Sequence, residues 1–492
     1  MTTGDAIMGT DALRAYGITG TGIKVGVISN GLNGGTAAQT SLDLGWVYTI
    51  RDEGDPGGGE GTAMLEIIHD IAPGAQLYFH DSGRSDDGNN SAGFIRAIDA
   101  LVAAGCTVIV DDVGFSDQPY FEKGEIDKHL EHLLATQRLI YVTSAGNSGD
   151  KHWQGPVKLD SEGLQDFSGT GSTLPYLYAN VPRGGTLKVF LQWDEPFGSA
   201  TDDFKIVLGD LTTNEILWNA LGNDPLQTSV RLTHLSDPSE GFVWTNQDAN
   251  SLYHDVMILV GPKGGTSVAR TLELYAYGEN GAGLYPINVV ASDSIFGHHA
   301  VPDVITVAAV NASCPDMIET FSSNGPVTHL FPNRTVIQKP DISAPDNVAV
   351  TGSGRFHTPF SGTSAAAPHI AALCALVWSA RQDLSPADIR SALYASAVDL
   401  GAPGYDNVFG WGRADAVAMY NYLATGKPVN TDPPSAFKKF YPKGGPASGA
   451  IGGMIVRTDG SVAVPDSPVD MPTTSPKKPP AKRFVRWYPG AN

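Results

Sequence analysis

The residue of this sequence best placed for covalent chemistry is Ser364. It lies in the run Gly-Thr-Ser-Ala-Ala-Ala, which leads into an apolar stretch, residues 370–378, that predicts a buried helix. The first turn of a helix has unpaired backbone N–H groups and the positive end of the helix dipole. A serine there can attack a carbonyl while amides hold the resulting oxyanion. The alternative is a helix start of small residues that only packs against a neighbour.

A carboxylate, Glu60, begins a second predicted helix, residues 60–71, in which Met64, Leu65 and Ile68 recur at helical spacing. A negative charge at a helix N-terminus is stabilised by the dipole, so simple capping is one interpretation. The other interpretation is a general base for a serine. That role requires a raised pKa, through burial or through a proton shared with a second carboxylate.

The elements that position these residues alternate between strand and helix. Buried strands are predicted at residues 23–28, 76–80, 107–110 and 139–143, and helices at residues 60–71, 92–102 and around 126–134. This alternation predicts an α/β fold with a doubly wound, mostly parallel sheet. Polar loops follow three of the strands, at residues 29–31, 111–114 and 144–147. Sites in such sheets form at the carboxyl ends of strands.

The strand–helix alternation stops after residue 151. Residues 152–293 contain short alternating strands separated by turn residues, which predicts a β-sandwich inserted into the α/β domain. We therefore expect catalytic-domain parts at 1–151 and 294–426. Residues 427–492 are rich in Pro and Gly, and residues 433–492 contain nine Lys/Arg against three Asp/Glu. This composition predicts a largely disordered basic tail that acts as a solvated linker. The alternative is that the basic tail folds back on the acidic body and binds there as an intramolecular partner.

The net charge of −20 makes nucleic acid and anionic membranes poor partners. Three cysteines without a close Cys or His pair favour neither a disulfide framework nor a zinc site. The first residues have no basic segment followed by an apolar one, so we expect a cytoplasmic protein, or a secreted one whose leader was removed.

Several ordered motifs together resemble the subtilisin-like serine peptidases, the subtilases. Residues 362–369 match the nucleophile motif, and residues 144–147 match the oxyanion-asparagine motif. Residues 321–326 and 339–345 match two further segments, and the region from Trp411 matches the end of the domain. The resemblance covers roughly residues 8–150 and 294–420. The insert resembles β-sandwich modules of bacterial secreted peptidases.

The resemblance implies a subtilisin-like fold and hydrolysis of peptide or protein substrates. It makes Ser364 the nucleophile, and Asn147 with the Ser364 backbone N–H the oxyanion hole. Gly114, Ser144 and Gly146 fall on the substrate-binding strands. Subtilases often bind structural calcium, although no EF-hand-like run of ligands is present; no cofactor is certain, and no metal ligands are assigned.

The chain departs from the family at two of the three triad positions. Subtilases have Asp in a V-x-V-I-D-x-G pattern, whereas this chain has Ser29 and Asn30. They have His in H-G-T-H, where this chain has Glu60. A divergent bacterial subgroup looks very similar over residues 60–73, and its first motif usually reads I-S-D-G. Asn30 therefore stands where that subgroup has an acid.

The proton partner of Glu60 is the remaining question of the site. Sedolisins, relatives of subtilases, pair the Glu with an Asp four residues later, but Met64 stands there. Asp112, next to the substrate-binding strand, is the candidate, and a solvated strand-end turn is the alternative. His298 and His299 are a remote base by a further hypothesis.

Two hypotheses follow. In the first, the chain is a serine endopeptidase with Ser364 as nucleophile and Glu60 as base, impaired by Asn30. In the second, the chain has a subtilase fold that binds peptide or protein but is catalytically inactive. It is then either a natural pseudo-peptidase or a mutant of an active enzyme in which Asn30 replaces an Asp.

Overall fold

The computed structural model describes most of the chain, namely residues 1–53, 58–82, 90–168, 174–213, 215–219, 229–231, 236–264, 266, 269–425, 455–456 and 462–463. Residues 1–429 form one unit, and residues 430–488 form a second. In the second unit, Ile455–Val456 and Val462–Ala463 pair as antiparallel strands. The rest of the predicted tail, apart from these strands, lies outside the described residues.

The first part of the chain alternates strands and helices as predicted. Its strands are β1 (Lys24–Ser29), β2 (Val47–Arg51), β3 (Gln76–Asp81), β4 (Val108–Asp111) and β5 (Ile140–Ser144). Its helices are α1 (Thr3–Met8), α2 (Thr10–Ala15), α3 (Gly35–Thr40), α4 (Glu60–Ile71), α5 (Asn90–Ala103) and α6 (Glu125–Thr136).

In the middle of the chain, the regular elements among the described residues are all strands. They are β6 (His152–Pro156), β7 (Leu177–Pro182), β8 (Thr186–Trp193), β9 (Phe204–Asp210), β10 (Ile216–Asn219), β11 (Ser229–Arg231), β12 (Ser239–Thr245), β13 (Tyr253–Pro262), β14 (Thr271–Glu279) and β15 (Gly283–Leu284). They form two five-stranded antiparallel sheets, ordered β10-β9-β13-β7-β15 and β11-β12-β8-β14-β6. Tryptophan and aliphatic side chains fill the space between the sheets. The domain boundaries at residues 151, 293 and 426 stay predictions.

The last part of the body returns to the strand–helix pattern. It contains β16 (Ile305–Asn311), β17 (Val327–His329), β18 (Thr335–Ile337), β19 (Ile342–Asp346), α7 (Thr363–Ala380), α8 (Pro386–Ala395) and α9 (Ala416–Thr425). Strands β17 and β18 pair as a small hairpin. The capping signals predict the start of α8 correctly, because the Ser385 hydroxyl accepts the Asp388 N–H and Pro386 is the first helical residue.

Seven strands form the central sheet, in the order β19-β16-β5-β4-β1-β3-β2. Each neighbouring pair is parallel. Helices cover both faces, since alternate residues of β4 point to opposite sides: Val108 and Val110 join the core that includes α4 and α7, and Ile109 joins the core that includes α5 and α6. The prediction of an α/β fold with a mostly parallel sheet is confirmed.

Helix α7 is the central element of the first core. It contacts β4, β5, β16 and β19 as well as α4, and every residue from Thr363 to Trp378 is buried. Its length and hydropathy would suffice to cross a membrane, but 89% of that stretch is buried inside the protein. Small side chains at its start allow it to lie close to the strands, which fixes the position of its first turn.

Candidate active site

Ser364 is the second residue of α7, at the carboxyl edge of the sheet. The preceding Gly362 has a φ of 111°, a conformation that L side chains rarely adopt. A Cβ atom there would also lie 3.2 Å from Nδ2 of Asn147. The Ser364 side chain lines an open cleft of about 430 Å³, and its hydroxyl makes no hydrogen bond to a described residue. Its backbone N–H likewise has no acceptor in the described part of the chain, as expected in a first helical turn.

The Asn147 side chain is held in one orientation by the start of α7. Its Oδ1 accepts hydrogen bonds from the backbone N–H and the hydroxyl of Thr363, both at 3.0 Å. The Nδ2 group is therefore left as a donor, on an exposed residue that lines the same cleft as Ser364. The two residues for which the resemblance implies an oxyanion hole therefore line the same cleft.

Asn30 and Glu60 are joined by two hydrogen bonds. The Glu60 backbone N–H donates to Oδ1 of Asn30 at 3.2 Å, so Asn30 caps the first turn of α4. The Asn30 Nδ2 donates to Oε2 of Glu60 at 3.4 Å. The Asn30 amide can therefore donate to the Glu60 carboxyl but cannot share a proton with it.

Asp112 lies next to this pair because β1 and β4 are neighbours in register. Ile28 pairs with Asp111, so the residues that follow the two strands lie side by side. The Asp112 carboxyl faces the Glu60 carboxyl, and burial together with the Glu60 negative charge raises the pKa of Asp112 well above its usual value. Two carboxyls in that arrangement favour one shared proton.

The carboxyl pair borders the cleft, because Asp112 is one of the residues that line it together with Ser364. Glu60 lies beside Asp112, at the start of α4. The Ser29 hydroxyl also faces Asp112, but it is fully buried and has no well-formed hydrogen bond among the described residues. The sedolisin spacing is absent, yet the tertiary structure places a second carboxyl beside Glu60 from another strand.

Of the two histidines of the remote-base hypothesis, His299 lines the cleft and His298 does not. His298 Nε2 lies 3.1 Å from Oδ1 of the buried Asp111. Burial alone would raise the pKa of Asp111, but His298 and hydrogen bonds hold it below its usual value. His299 lines the cleft, and burial together with the His298 charge lowers its pKa to about 3. A group with so low a pKa is a weak base near neutral pH.

The predicted substrate-binding residues Gly114, Ser144 and Gly146 all line the cleft. Gly146 has a φ of 91°, and its N–H donates to the Thr363 hydroxyl at 3.2 Å. This contact fixes the strand end that carries Asn147 against α7. Among the described residues, no group of three or more His, Cys, Asp or Glu could hold a metal ion.

A second pair of carboxyls, Asp346 and Glu319, was not predicted from the sequence; it lies next to Gly362, two residues before Ser364. Asp346, at the end of β19, is fully buried, and its Oδ2 accepts the Gly362 N–H at 2.9 Å. Burial and the Glu319 carboxyl raise the pKa of Asp346 to about 7, against the effect of the Gly362 hydrogen bond. Asp346 directly follows the matched segment 339–345, but nothing local predicts its contact with Gly362.

The raised pKa of Asp346 predicts a pH-dependent contribution to the free energy of unfolding, and replacing Asp346 by asparagine should remove that contribution. Because the folded-state pKa of Asp346 is raised, the free energy of unfolding should fall as pH rises from 3.8 to about 7. At 1.36 kcal/mol per unit, the upper bound is about 4 kcal/mol. Asp346→Asn keeps an acceptor for Gly362, so we expect it to stabilise the protein at pH 8 by about 1–3 kcal/mol. Urea unfolding at pH 4 and pH 8 measures this effect.

The pH 4 measurement is the internal control for Asp346→Asn, since the carboxyl is then largely protonated and the two proteins should be nearly equal. A gain of the same size at both pH values would show that charge burial is not its cause.

A parallel seven-stranded sheet covered by helices on both faces, with α7 as the central helix, defines a subtilisin-like fold. A subtilase family model matches residues 254–412, which include Ser364. The thermostable alkaline protease of Halalkalibacterium halodurans is 30% identical over 173 residues, which cover 34% of this chain and 42% of that protein. The Arabidopsis thaliana subtilisin-like protease SBT1.4 is 38% identical over 97 residues, 17% of this chain and 12% of that protein.

The structure of the CspB protease of Clostridium perfringens has a TM-score of 0.54 and 16% identity, and the match covers 86% of this chain and 97% of that one. At that identity, the likeness shows the fold. The chain spans less than half the length of the curated relatives just described. Together, these matches support a relationship between this chain and the subtilase family of serine peptidases.

Proposed function

We propose that the chain is a serine endopeptidase of subtilase type that cleaves peptide bonds through Ser364. The observation that carries this proposal is the pair of facing carboxyls, Glu60 and Asp112, beside the cleft that Ser364 and Asn147 line. A serine needs a base, and this chain has Glu60 at the position of the family's His, with the Asp112 carboxyl beside it.

In the proposed reaction, the Ser364 hydroxyl attacks the substrate carbonyl and gives its proton to the Glu60 carboxylate. Protonated Asp112 donates a hydrogen bond to Glu60 and so holds the pair at a single negative charge. The Asn147 Nδ2 and the Ser364 backbone N–H stabilise the oxyanion. Collapse of the tetrahedral intermediate releases the amine, which takes the proton from Glu60, and water then hydrolyses the acyl-enzyme by the same steps.

Asn30 limits this chemistry in the proposal. Its amide donates to the Glu60 carboxyl but, unlike a carboxyl at the same position, cannot share a proton with it. The second candidate function is a peptide-binding pseudo-peptidase. The specific observation in its favour is that the Ser364 hydroxyl has no hydrogen bond to a carboxyl in the described part of the chain, although such contacts often form only with substrate bound.

Labelling by a fluorophosphonate probe tests the proposal, because the probe reacts only with an activated serine. We expect slow labelling of this chain at Ser364 and faster labelling of Asn30→Asp, in which a third carboxyl can share a proton with Glu60. Ser364→Ala is the control and should not react. Absence of labelling in both this chain and Asn30→Asp would reject the peptidase and leave the pseudo-peptidase.

A further inference from the structure

The free edge of the central sheet has a pocket that is separate from the Ser364 cleft. Strand β2 is the last strand on that side, and β3 is its only strand partner among the described residues. The pocket lies where α3 passes this edge, and its volume is about 590 Å³. It shares no lining residue with the cleft. Successive residues of β2, which point to opposite faces of the sheet, both line it, so the pocket follows the strand edge itself.

Three large apolar side chains are exposed at this edge. Trp46, Tyr48 and Ile50 lie on one face of the strand, and Trp46 is 73% exposed. Natural proteins usually protect a free edge with charge, proline or a covering element, because its unpaired N–H and C=O groups pair readily with another chain. In the part of the chain that the structure describes, no backbone hydrogen bond joins β2 to an element other than β3. The edge can therefore accept a further strand.

Two aromatic rings form a corner at the pocket. The rings of Trp46 and Tyr48 meet edge to face, with centroids 6.4 Å apart and an interplanar angle of 84°. Tyr48 stacks in turn on Tyr78 of β3, at a centroid distance of 4.9 Å. Tyr78 already receives a cation, because the Lys24 ammonium lies 5.3 Å from the centroid of its ring. Trp46 and Tyr48 can hold a second cation in the same way, since the face of an aromatic ring attracts positive charge.

The charge at the pocket is negative. Asp52 is the only charged residue of the lining, and it has no ion pair among the described residues. Its Oδ1 accepts the Leu32 N–H at 3.3 Å, which helps to hold the carboxylate in place. Arg51, the one basic residue of β2, lies 3.2 Å from Glu53 and 3.6 Å from Asp81, so its charge is balanced. A cationic side chain would therefore find rings and a carboxylate in this pocket, whereas a carboxylate would find no counter-charge.

We propose that this edge is a docking site for an extended segment of another protein, which adds to β2 as a strand and places a lysine or arginine side chain in the pocket. The unpaired backbone of β2 binds the main chain of the segment, and the pocket selects its side chain. The net charge of −20 further favours a basic partner over an acidic one. The proposal does not depend on the chemistry of Ser364, because the pocket and the cleft share no residue.

Peptide binding to the full chain with Ser364→Ala tests this proposal, since no probe can then be cleaved at that serine. The probes are short fluorescein-labelled peptides of alternating threonine and valine that differ only in a central lysine, norleucine or glutamate. Fluorescence anisotropy gives their Kd values. We expect the lysine peptide to bind about tenfold more tightly than the glutamate peptide, with the norleucine peptide between them.

Methylated peptides test whether a strand is added. In an added strand, alternate N–H groups point to β2 and the others point away from it. Two lysine peptides, each methylated on one of the two alternate sets of backbone nitrogens, should therefore differ. We expect one to lose binding, because its N–H groups toward β2 are gone, and the other to retain it.

Variants of the pocket locate the binding site. Trp46→Ala should weaken binding of the lysine peptide about tenfold and that of the glutamate peptide much less. Asp52→Asn keeps an acceptor for the Leu32 N–H and should remove most of the preference for lysine over norleucine. Tyr16→Ala is the matched control, because Tyr16 is an exposed tyrosine outside the pocket lining, and it should leave every Kd unchanged.

A lysine peptide that fails to bind, binds no more tightly than the glutamate peptide, or binds Trp46→Ala equally well overturns the proposal. Equal binding of the two methylated peptides also overturns it, because no strand is then added. Sedimentation velocity tests the other occupant: a dimer of the unchanged chain that Trp46→Ala dissociates would make β2 an interface between copies instead. None of these outcomes affects the labelling of Ser364, which tests the peptidase separately.

Discussion

Glu60→Gln should lower kcat by about 10²–10⁴-fold in the form that the phosphonate labels, because an amide cannot take the proton of Ser364. The fold should be unaffected, since glutamine retains the hydrogen-bonding capacity of Glu60 toward Asn30. Hydrolysis of a chromogenic peptide amide gives kcat and KM, and thermal unfolding checks stability. Glu53→Gln, which changes a carboxylate that is 76% exposed, is the control.

The pH dependence separates the two carboxyls of the pair. Activity should fall as pH rises through the raised pKa of Asp112, because ionised Asp112 would repel the Glu60 carboxylate and no longer donate to it. Asp112→Asn mimics the protonated form, so the loss of activity on the alkaline side should disappear. An activity maximum near pH 9 in the unchanged chain, or a Glu60→Gln variant with normal kcat, would contradict the carboxyl pair as base.

Asn147→Ala should lower kcat by about 10²–10³-fold with little change in KM, because its Nδ2 is one of only two proposed donors to the oxyanion. The pH profile should keep its shape, since the base is untouched. Kinetics at several pH values therefore distinguish this variant from Glu60→Gln. The two effects differ because Asn147 acts on the charge that develops in the transition state, and Glu60 acts on the proton.

The orientation of Asn147 offers a graded control. Thr363→Val removes the hydroxyl that donates to Oδ1 and accepts the Gly146 N–H, but it keeps the contact between the backbone N–H of residue 363 and Oδ1 at 3.0 Å. We expect a loss of less than about tenfold, since the remaining hydrogen bond still holds the amide. A kcat for Asn147→Ala within twofold of the unchanged chain would remove Asn147 from the oxyanion hole.

Elements with strong local signals were predicted close to their observed limits. Helix α4 begins at Glu60 and ends at Ile71 as its apolar spacing indicated, and Ser364 lies in the first turn of α7. Burial sets these elements, because a buried helix or a parallel strand needs a particular periodicity of apolar residues, which a single segment displays by itself. The candidate nucleophile and the oxyanion asparagine depend on such segments and were therefore visible.

Contacts between residues that are distant in the chain could not be predicted from such local patterns. For Asp112, the sequence leaves open a proton partner of Glu60 or a solvated turn residue, because it does not state that β4 lies next to β1. Asp346 and the pocket beside β2 gave no local signal, since each brings together residues that are separated in the chain. Such contacts form when the whole sheet assembles, so their energies depend on global packing.

The sequence by itself determined the α/β architecture and the secondary-structure positions of Ser364, Asn147 and Glu60. Each of these residues lies at a helix start or a strand end that a local pattern of residues predicts. Only the tertiary structure decided which groups meet. The neighbouring positions of β1 and β4 bring Asp112 to Glu60, and the position of α3 beside β2 forms the pocket that Trp46 lines. The physical reason is that burial patterns are local, whereas proton sharing and pocket shape require atoms from distant segments to lie within a few ångströms.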